Sequence, residues 1–153
     1  LELGTWNKAI NVNLTGIFLI CQAVGKIMLK QKSGNIINIS STYGMVGADQ
    51  RIYGKSGQNS AAFYAATKSA VVNLTSYLAA YWQKTGIRVN TLSPGGVKNN
   101  QDHTFQKKYS EKTILGRMAK KDEYVGPLLY LASDASSYMT GSNLIVDGGW
   151  TSK

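Results

Sequence analysis

The chain has 153 residues, 43% of them hydrophobic, and this length suits a single globular domain. Cys21 is the only cysteine, which excludes an intrachain disulfide and fits a reducing compartment, so we expect a cytoplasmic location. Seventeen Lys and Arg against eight Asp and Glu give a formal net charge of +9. This charge is compatible with nucleic-acid binding, but no recognition helix, zinc module or base-stacking platform occurs, so we expect no nucleic-acid partner.

Two further classes of function are disfavoured by the sequence. The longest purely apolar run, residues 16–21, is too short to span a bilayer, so we expect no membrane partner. His103 is the single histidine, and no cluster of metal ligands accompanies it, so we expect no catalytic metal.

The first part of the chain contains a predicted helix, a strand and a loop, in that order. The helix covers residues 6–31, and a turn that ends at Gly34 leads into a short apolar strand at residues 36–39. Such a run is typical of a buried parallel strand. Two hydroxyl residues, Ser40 and Ser41, follow the strand, and residues 42–59 form a loop rich in Gly, Ser and charge.

The second part continues the alternation of helices and strands. The predicted elements are a helix at residues 60–84, a strand that stops in a Pro-Gly turn at residues 87–96, a mobile segment at residues 98–116, a helix at residues 122–133 and a strand at residues 143–149. Asp122 is expected to cap the last helix, with Pro127 in its first turns or at a kink. This order predicts an α/β fold with a doubly wound parallel sheet, whose sites lie at the carboxyl ends of the strands.

The most informative segment is residues 64–68 (YAATK), which places a phenol and an ammonium four residues apart on a predicted helix. Residues i and i+4 lie on one helical face, so Tyr64 and Lys68 can reach the same pocket. A cation about 5 Å from a phenol, at an effective dielectric of about 20, stabilises the phenolate by about 3 kcal/mol. The pKa of such a phenol falls toward neutrality, where it can donate or accept a proton in catalysis.

Several short motifs accompany this segment in a fixed order. They are residues 11–16 (NVNLTG), 37–41 (INISS), 88–97 (RVNTLSPGGV), 115–117 (LGR) and 146–149 (VDGG). Each motif is weak alone. Together with residues 64–68, they make the chain resemble the classical short-chain dehydrogenase/reductase family over almost its whole length.

The resemblance also identifies family features that this sequence lacks. Members begin with a strand and a glycine-rich phosphate-binding turn, followed by a cofactor-selecting residue and an N-N-A-G segment, and none of these occurs. The start at Leu1 resembles the fourth helix of a complete member. Residues 1–153 are therefore expected to form a single partial domain, the carboxyl-terminal, catalytic and substrate-side portion of a Rossmann-type fold. Such a domain exposes apolar faces and an unpaired edge strand.

The resemblance implies a role for each matched catalytic residue. Tyr64 is expected to act as general acid and base, and Lys68 to promote its ionisation and to bind the nicotinamide ribose. Ser41, rather than Ser40, is expected to hold the substrate carbonyl oxygen, because the family uses the second serine of the pair. Asn13 is expected to position a water that links Lys68 to solvent; alternatively, it satisfies a helix irregularity.

The resemblance also implies contacts with a nicotinamide cofactor, NAD or NADP. Pro94, Gly95 and Val97 are expected to meet the nicotinamide end, where a glycine allows the backbone to approach a planar ring. Two positions after Val97, where the family often has a hydroxyl residue, this chain has Asn99. Asparagine can also hydrogen-bond a phosphate or a carboxamide, so we include Asn99 among the expected cofactor contacts.

The implied activity is that of an NAD(P)-dependent oxidoreductase that interconverts an alcohol and a carbonyl in a small-molecule substrate. One alternative is a sugar-nucleotide epimerase or dehydratase, because extended relatives share Y-x-x-x-K, although no added substrate domain is visible. Another is a catalytically silent NAD(P)-binding relative, against which the intact set of catalytic residues argues. The family pairs its two long helices in dimers, so a homodimer or homotetramer is expected.

One departure from the family lies before the predicted catalytic helix. Ser41 and Tyr64 are 23 positions apart, which is more than in most classical members. The excess falls in residues 48–58. An insertion at this place either overhangs the substrate entrance or is a tolerated surface loop.

Basic residues flank the expected substrate entrance on both sides. They are Arg51 and Lys55 in the insertion, and Lys98, Lys107 and Lys108 after the Pro-Gly turn. Cations on two sides of a cleft attract an anion, which predicts an anionic substrate, such as a phosphorylated, nucleotide-linked or carboxylated sugar. Solubility is the competing explanation, because lysines on loops are usually solvated.

Overall fold

The computed structural model describes residues 1–152, and its centre is a three-stranded parallel sheet. The strands are β1 (Gly34–Ile39), β2 (Ile87–Pro94) and β3 (Asn143–Val146), in the spatial order β1-β2-β3. Gly34 pairs with Ile87 at the start of β1, and Thr91 pairs with Asn143 at the start of β3. The parallel sheet predicted from the sequence is therefore confirmed, with all carboxyl ends at one edge.

The helices pack on this sheet or connect its strands. They are α1 (Leu3–Ile10), α2 (Gly16–Gln31), α3 (Ala62–Tyr81), α4 (His103–Lys112) and α5 (Val125–Ala132). A π-helical turn, Asn11–Thr15, joins α1 to α2 without a break. The connections between strands run through α3 and through the α4–α5 region, as parallel strands require.

The main core lies between α2, α3 and the sheet. Cys21 from α2, Leu78 from α3 and Val89 from β2 are buried together, and Trp82 closes the cluster at the end of α3. Gly25 of α2 lies directly against the Trp82 ring, where a Cβ would overlap the indole. This close approach sets the distance between α2 and α3.

The helical stretch Leu3–Gln31 is long and apolar enough, by length and composition, to cross a membrane. Core helices of folded domains meet the same criterion, so this finding alone favours no membrane role. One side of the stretch packs against α3 and β1, while Val12, Leu19 and Ile27 on it are exposed.

Residues 98–116, expected to be mobile, instead contain α4. Asp102 caps this helix, because its carboxylate accepts hydrogen bonds from the backbone N–H groups of Thr104 (2.8 Å) and Phe105 (3.2 Å). Tyr109 of α4 is buried against Met118 and Trp150 in a second apolar cluster. The expectation of mobility was wrong because packing stabilises a segment of polar composition.

The start of the last helix also differs from the prediction. Residues Lys121–Tyr124 form a 3-10 turn before α5, so Asp122 is not the helix cap. The Glu123 carboxylate instead accepts a hydrogen bond from the Lys120 backbone N–H at 2.7 Å. Pro127 lies in the first turn of α5, where the N–H that proline lacks has no helical partner.

Candidate active site

A cavity of about 280 Å³ opens at the carboxyl edge of the sheet. The residues around it come from five separate parts of the chain: the segment after β1, the insertion before α3, the first turn of α3, the turn after β2, and α4. They include Ser41, Tyr43, Tyr64, Pro94, Gly95 and Val97. Because parallel strands end together at this edge, the fold brings these distant residues into one site.

Tyr64 and Lys68 lie one helical turn apart on α3. The Lys68 Nζ is 5.7 Å from the centroid of the Tyr64 ring and donates a hydrogen bond to the Ile39 carbonyl at 2.9 Å. Burial lowers the pKa of the Lys68 ammonium. The end of β1 therefore holds a partly desolvated amine beside the phenol.

The two serines after β1 have different partners. The Ser40 hydroxyl donates to the Lys68 carbonyl at 2.7 Å, which ties the end of β1 to α3. Ser41 lines the cavity, and its Oγ accepts a hydrogen bond from the Tyr43 N–H at 3.2 Å. Of the pair, Ser41 alone faces the space beside Tyr64.

Asn13 lies in the π-helical turn between α1 and α2, and is half-buried. Its Nδ2 is 3.5 Å from the Oγ1 of Thr67, the residue before Lys68. The Thr67 hydroxyl also reaches the Phe63 carbonyl at 2.8 Å. The Asn13 amide thus faces α3, the helix that carries Tyr64 and Lys68, and π-helical turns occur often at functional sites.

Two phenols, which the sequence analysis missed, fix the glycine turn after β2. The Gly96 N–H donates to the Tyr109 hydroxyl, and the Tyr124 hydroxyl donates to the Gly95 carbonyl at 3.0 Å. A Cβ at Gly96 would come within 2.6 Å of the Tyr109 ring, so this contact requires glycine. Burial raises the pKa of Tyr109 to about 12, which keeps its hydroxyl neutral. The sequence feature that could have identified Tyr109 is the aromatic i, i+4 pair that it forms with Phe105.

Asn99 does not join Pro94 and Val97 at the cavity. Its backbone N–H donates to Gln101 Oε1 at 2.7 Å, and its carbonyl accepts from Gln106 at 3.2 Å. Asn99 lines an adjoining hollow of about 490 Å³, with Tyr53 at the wall between the two spaces.

The insertion, residues 48–58, is packed at the cavity entrance. It contains the 3-10 turn Gln50–Tyr53, in which Ile52 is fully buried, and the Tyr53 ring lies 5.2 Å from that of Phe105 on α4. The Lys112 ammonium pairs with the Asp49 carboxylate, and Lys108 donates to the Arg51 carbonyl at 3.0 Å. The insertion therefore braces α4 above the site.

The basic residues that predicted an anionic substrate point elsewhere. Arg51 pairs with Asp49 at 2.8 Å, with its side chain 85% exposed, while Lys108 is bound to a backbone carbonyl. Lys98 and Lys107 line a separate hollow. Among residues 1–152, no lysine or arginine lines the cavity. Lys55 is exposed and does not line the cavity either. The predicted cationic entrance is therefore wrong, because an ion pair holds Arg51, and a backbone carbonyl holds Lys108, away from the cavity.

The residues present suit the nicotinamide end of a cofactor and not its phosphates. Tyr64, Lys68 and Ser41 supply hydroxyl and ammonium groups beside the Pro94–Val97 turn. Within the described part of the chain, no group of three or more His, Cys, Asp and Glu residues is placed to hold a metal ion.

Comparisons with known proteins extend over the length of this chain. A family model described as Enoyl-(Acyl carrier protein) reductase matches residues 1–151. The D-threitol dehydrogenase of Mycolicibacterium smegmatis is 37% identical, over 100% of this chain and 57% of that protein. A short-chain dehydrogenase from Leptospira borgpetersenii, solved with NAD⁺, superimposes with a TM-score of 0.92 at 41% identity, over 99% of this chain and 58% of that one.

A gluconate 5-dehydrogenase from Burkholderia cenocepacia, solved with NADP and tartrate, has a TM-score of 0.88 at 35% identity. The match covers 100% of this chain and 58% of that one. This chain thus spans little more than half the length of these relatives. It belongs to the short-chain dehydrogenase/reductase family.

Proposed function

We propose that this chain supplies the catalytic and substrate-side part of an NAD(P)-dependent oxidoreductase that interconverts an alcohol and a carbonyl. The observation that carries the proposal is the convergence of Ser41 and Tyr64 on one cavity, with Lys68 behind the phenol. Carbonyl reduction requires a hydroxyl donor and a proton-transferring phenol at the same reacting oxygen.

In the reduction direction, Ser41 Oγ donates a hydrogen bond to the substrate carbonyl oxygen and stabilises its developing negative charge. The Tyr64 hydroxyl gives its proton to that oxygen, and the nearby Lys68 ammonium stabilises the phenolate that remains. The bound nicotinamide supplies the hydride chemistry. In alcohol oxidation, Tyr64 takes the proton back.

Lys68 is also suited to return a proton to Tyr64. Burial lowers the pKa of its ammonium, which eases proton release, while the bond to the Ile39 carbonyl keeps Nζ in place. We assign Asn13 to hold a water on the route from Lys68 to solvent. Its place in a π-helical turn, one contact from Thr67, supports this role.

We assign the nicotinamide end of NAD or NADP to the turn of Pro94, Gly95 and Val97. The hydrogen bond that Tyr109 accepts from Gly96 and the one that Tyr124 donates to Gly95 hold the backbone of this turn in place, so that it is preorganised for a planar ring. Asn99 lies outside this cavity, and we do not assign it to the nicotinamide.

The proposal is tested by Tyr64→Phe in a full-length protein that contains this chain. The substitution keeps the ring packing against Tyr43 and removes the transferable proton. Turnover of carbonyl and alcohol panels, followed by the absorbance of the reduced nicotinamide, is expected to fall by about 10²- to 10⁴-fold. Cofactor affinity, measured by fluorescence titration, is expected to stay unchanged.

Tyr77→Phe is the matched control, because Tyr77 is an exposed tyrosine on the same helix, away from the cavity. It is expected to leave turnover unchanged. Wild-type turnover in Tyr64→Phe, or an equal loss in both variants, would remove Tyr64 from the chemistry.

A further inference from the structure

The insertion carries one residue into the substrate space that the proposed mechanism does not use. Tyr53 lies at the wall between the active-site cavity and the adjoining hollow and lines both. Its position is fixed from two sides. The neighbouring Ile52 is fully buried, and the Tyr53 ring packs against Phe105 at 5.2 Å.

The Tyr53 hydroxyl lies near two other hydroxyl groups. The side chains of Tyr43 and Ser60 are close enough to influence its pKa. Burial raises the pKa of both phenols, so the two hydroxyls remain neutral. A neutral phenol has one proton to donate and two lone pairs to accept with, so this pair can bind hydroxyl groups of a ligand.

The walls of the cavity are aromatic and carry no cation. Tyr43, Tyr53, Phe105 and Tyr109 surround the space beside Tyr64. An anion that enters such a space loses its hydration and gains no opposite charge. The carbon chain of a neutral polyhydroxylated molecule instead packs against the rings, and its hydroxyls meet the phenols.

The adjoining hollow extends the same chemistry away from the reacting centre. Its lining consists of amides and hydroxyls, from Ser56, Gln58, Asn99, Asn100 and Gln101, together with Asp102. Asp102 caps α4, and hydrogen bonds from the Phe105 and Thr104 backbones lower its pKa, so this carboxylate is charged at neutral pH. Across residues 1–152, the one charged side chain that lines the two spaces is therefore negative.

We propose that Tyr53 is a substrate-contact residue that selects a neutral, polyhydroxylated chain, such as a sugar alcohol or a ketose, over carboxylated or phosphorylated analogues. The reacting carbon lies at Tyr64, and the rest of the chain runs past Tyr53 into the hollow lined by amides. This inference rests on the proposed oxidoreductase function and adds the substrate class of the same site.

The test compares xylitol with xylonate, and sorbitol with gluconate, as substrates of the full-length enzyme at a fixed cofactor concentration. Each pair compares a neutral sugar alcohol with a carboxylated sugar acid that has the same number of carbon atoms. The expected kcat/KM is at least about tenfold higher for the neutral member. A higher kcat/KM for the carboxylates would overturn the inference.

Two variants examine the residues involved. Tyr53→Ala is expected to raise the KM for the polyols by about fivefold or more, with a smaller change in kcat, and Tyr53→Phe to restore part of the loss through ring packing.

Asp102→Asn keeps a good helix cap and removes the negative charge. It is expected to improve kcat/KM for the carboxylates selectively. Lys55→Ala, an exposed change in the same insertion, is the control.

A binding measurement distinguishes a failure of this inference from a failure of the proposed reaction. Xylitol is titrated by calorimetry into the Tyr64→Phe protein loaded with oxidised cofactor, and this measurement does not depend on turnover. Binding without turnover in the wild type would contradict the oxidoreductase and keep the substrate class. Two results would overturn the role of Tyr53. One is the absence of xylitol binding, and the other is a Tyr53→Ala protein that binds and turns over polyols as the wild type does.

Discussion

Neighbouring residues at the end of β1 have separate roles, although their side chains are chemically identical. Ser40 ties the strand to α3 through the Lys68 carbonyl, and Ser41 faces the cavity. The direction of the chain as it leaves the strand decides which hydroxyl can reach a substrate. We therefore expect Ser40 to act on stability and Ser41 on catalysis.

Replacing each serine by alanine separates these effects. Ser41→Ala is expected to lower kcat by about 10²- to 10³-fold, because a preorganised donor to the reacting oxygen is lost. Ser40→Ala removes the hydrogen bond to the Lys68 carbonyl, which lies inside α3 and keeps its helical partner, and is expected to reduce the free energy of unfolding by about 0.5–1.5 kcal/mol. Steady-state kinetics and urea unfolding of both variants measure the two effects. Equal kinetic losses with unchanged stabilities would contradict the division.

At the scale of elements, the sequence was sufficient where hydrophobic patterns and family motifs coincide, as in β1, α3 and β2. It was insufficient for α4, whose polar sequence is stabilised by contacts distant in the chain. Tyr109 stacks on Trp150 at 4.2 Å, and Lys112 pairs with Asp49. Contacts between the insertion and α4 also set the directions of the Arg51 and Lys108 side chains. The sequence could therefore show that these cations are present but not where they point.

Helix packing can be tested with two glycines. Gly25→Ala in α2 places a methyl group against the Trp82 ring and is expected to destabilise the protein by about 1–3 kcal/mol. Gly126→Ala in α5 meets no atom within 4 Å and is expected to stabilise it by about 0.5–1 kcal/mol, since alanine favours the helix. Urea unfolding measures both changes. A neutral Gly25→Ala would show that α2 and α3 can separate freely.

At the scale of the whole molecule, the apolar faces left exposed are the main feature. Leu19 and Ile27 on α2, Tyr77 and Tyr81 on α3, and Leu129 on α5 are accessible to solvent. Large exposed apolar patches mark interaction surfaces or aggregation sites. This chain also spans only 57% of the D-threitol dehydrogenase that it resembles.

Residues 1–153 expressed alone are therefore expected to self-associate and to bind NAD and NADP too weakly for calorimetry to detect. The sequence contains no glycine-rich turn for the phosphates, which leaves only the nicotinamide end with contacts. Analytical ultracentrifugation and titration calorimetry test the two statements. A monodisperse monomer, or micromolar cofactor binding, would contradict them.

The π-helical turn Asn11–Thr15 makes one part of the site depend on the number of residues rather than on their kinds. Such a turn holds one residue more than an α-helical turn. Deletion of a single codon within it would produce a regular α-helix and rotate everything before it by about 100° relative to α2. Deletion of Leu14 or Thr15, which lie between Asn13 and α2, would turn the Asn13 amide away from α3 although Asn13 itself is kept. In the history of this gene, a deletion here would therefore change the site without substituting any residue in it.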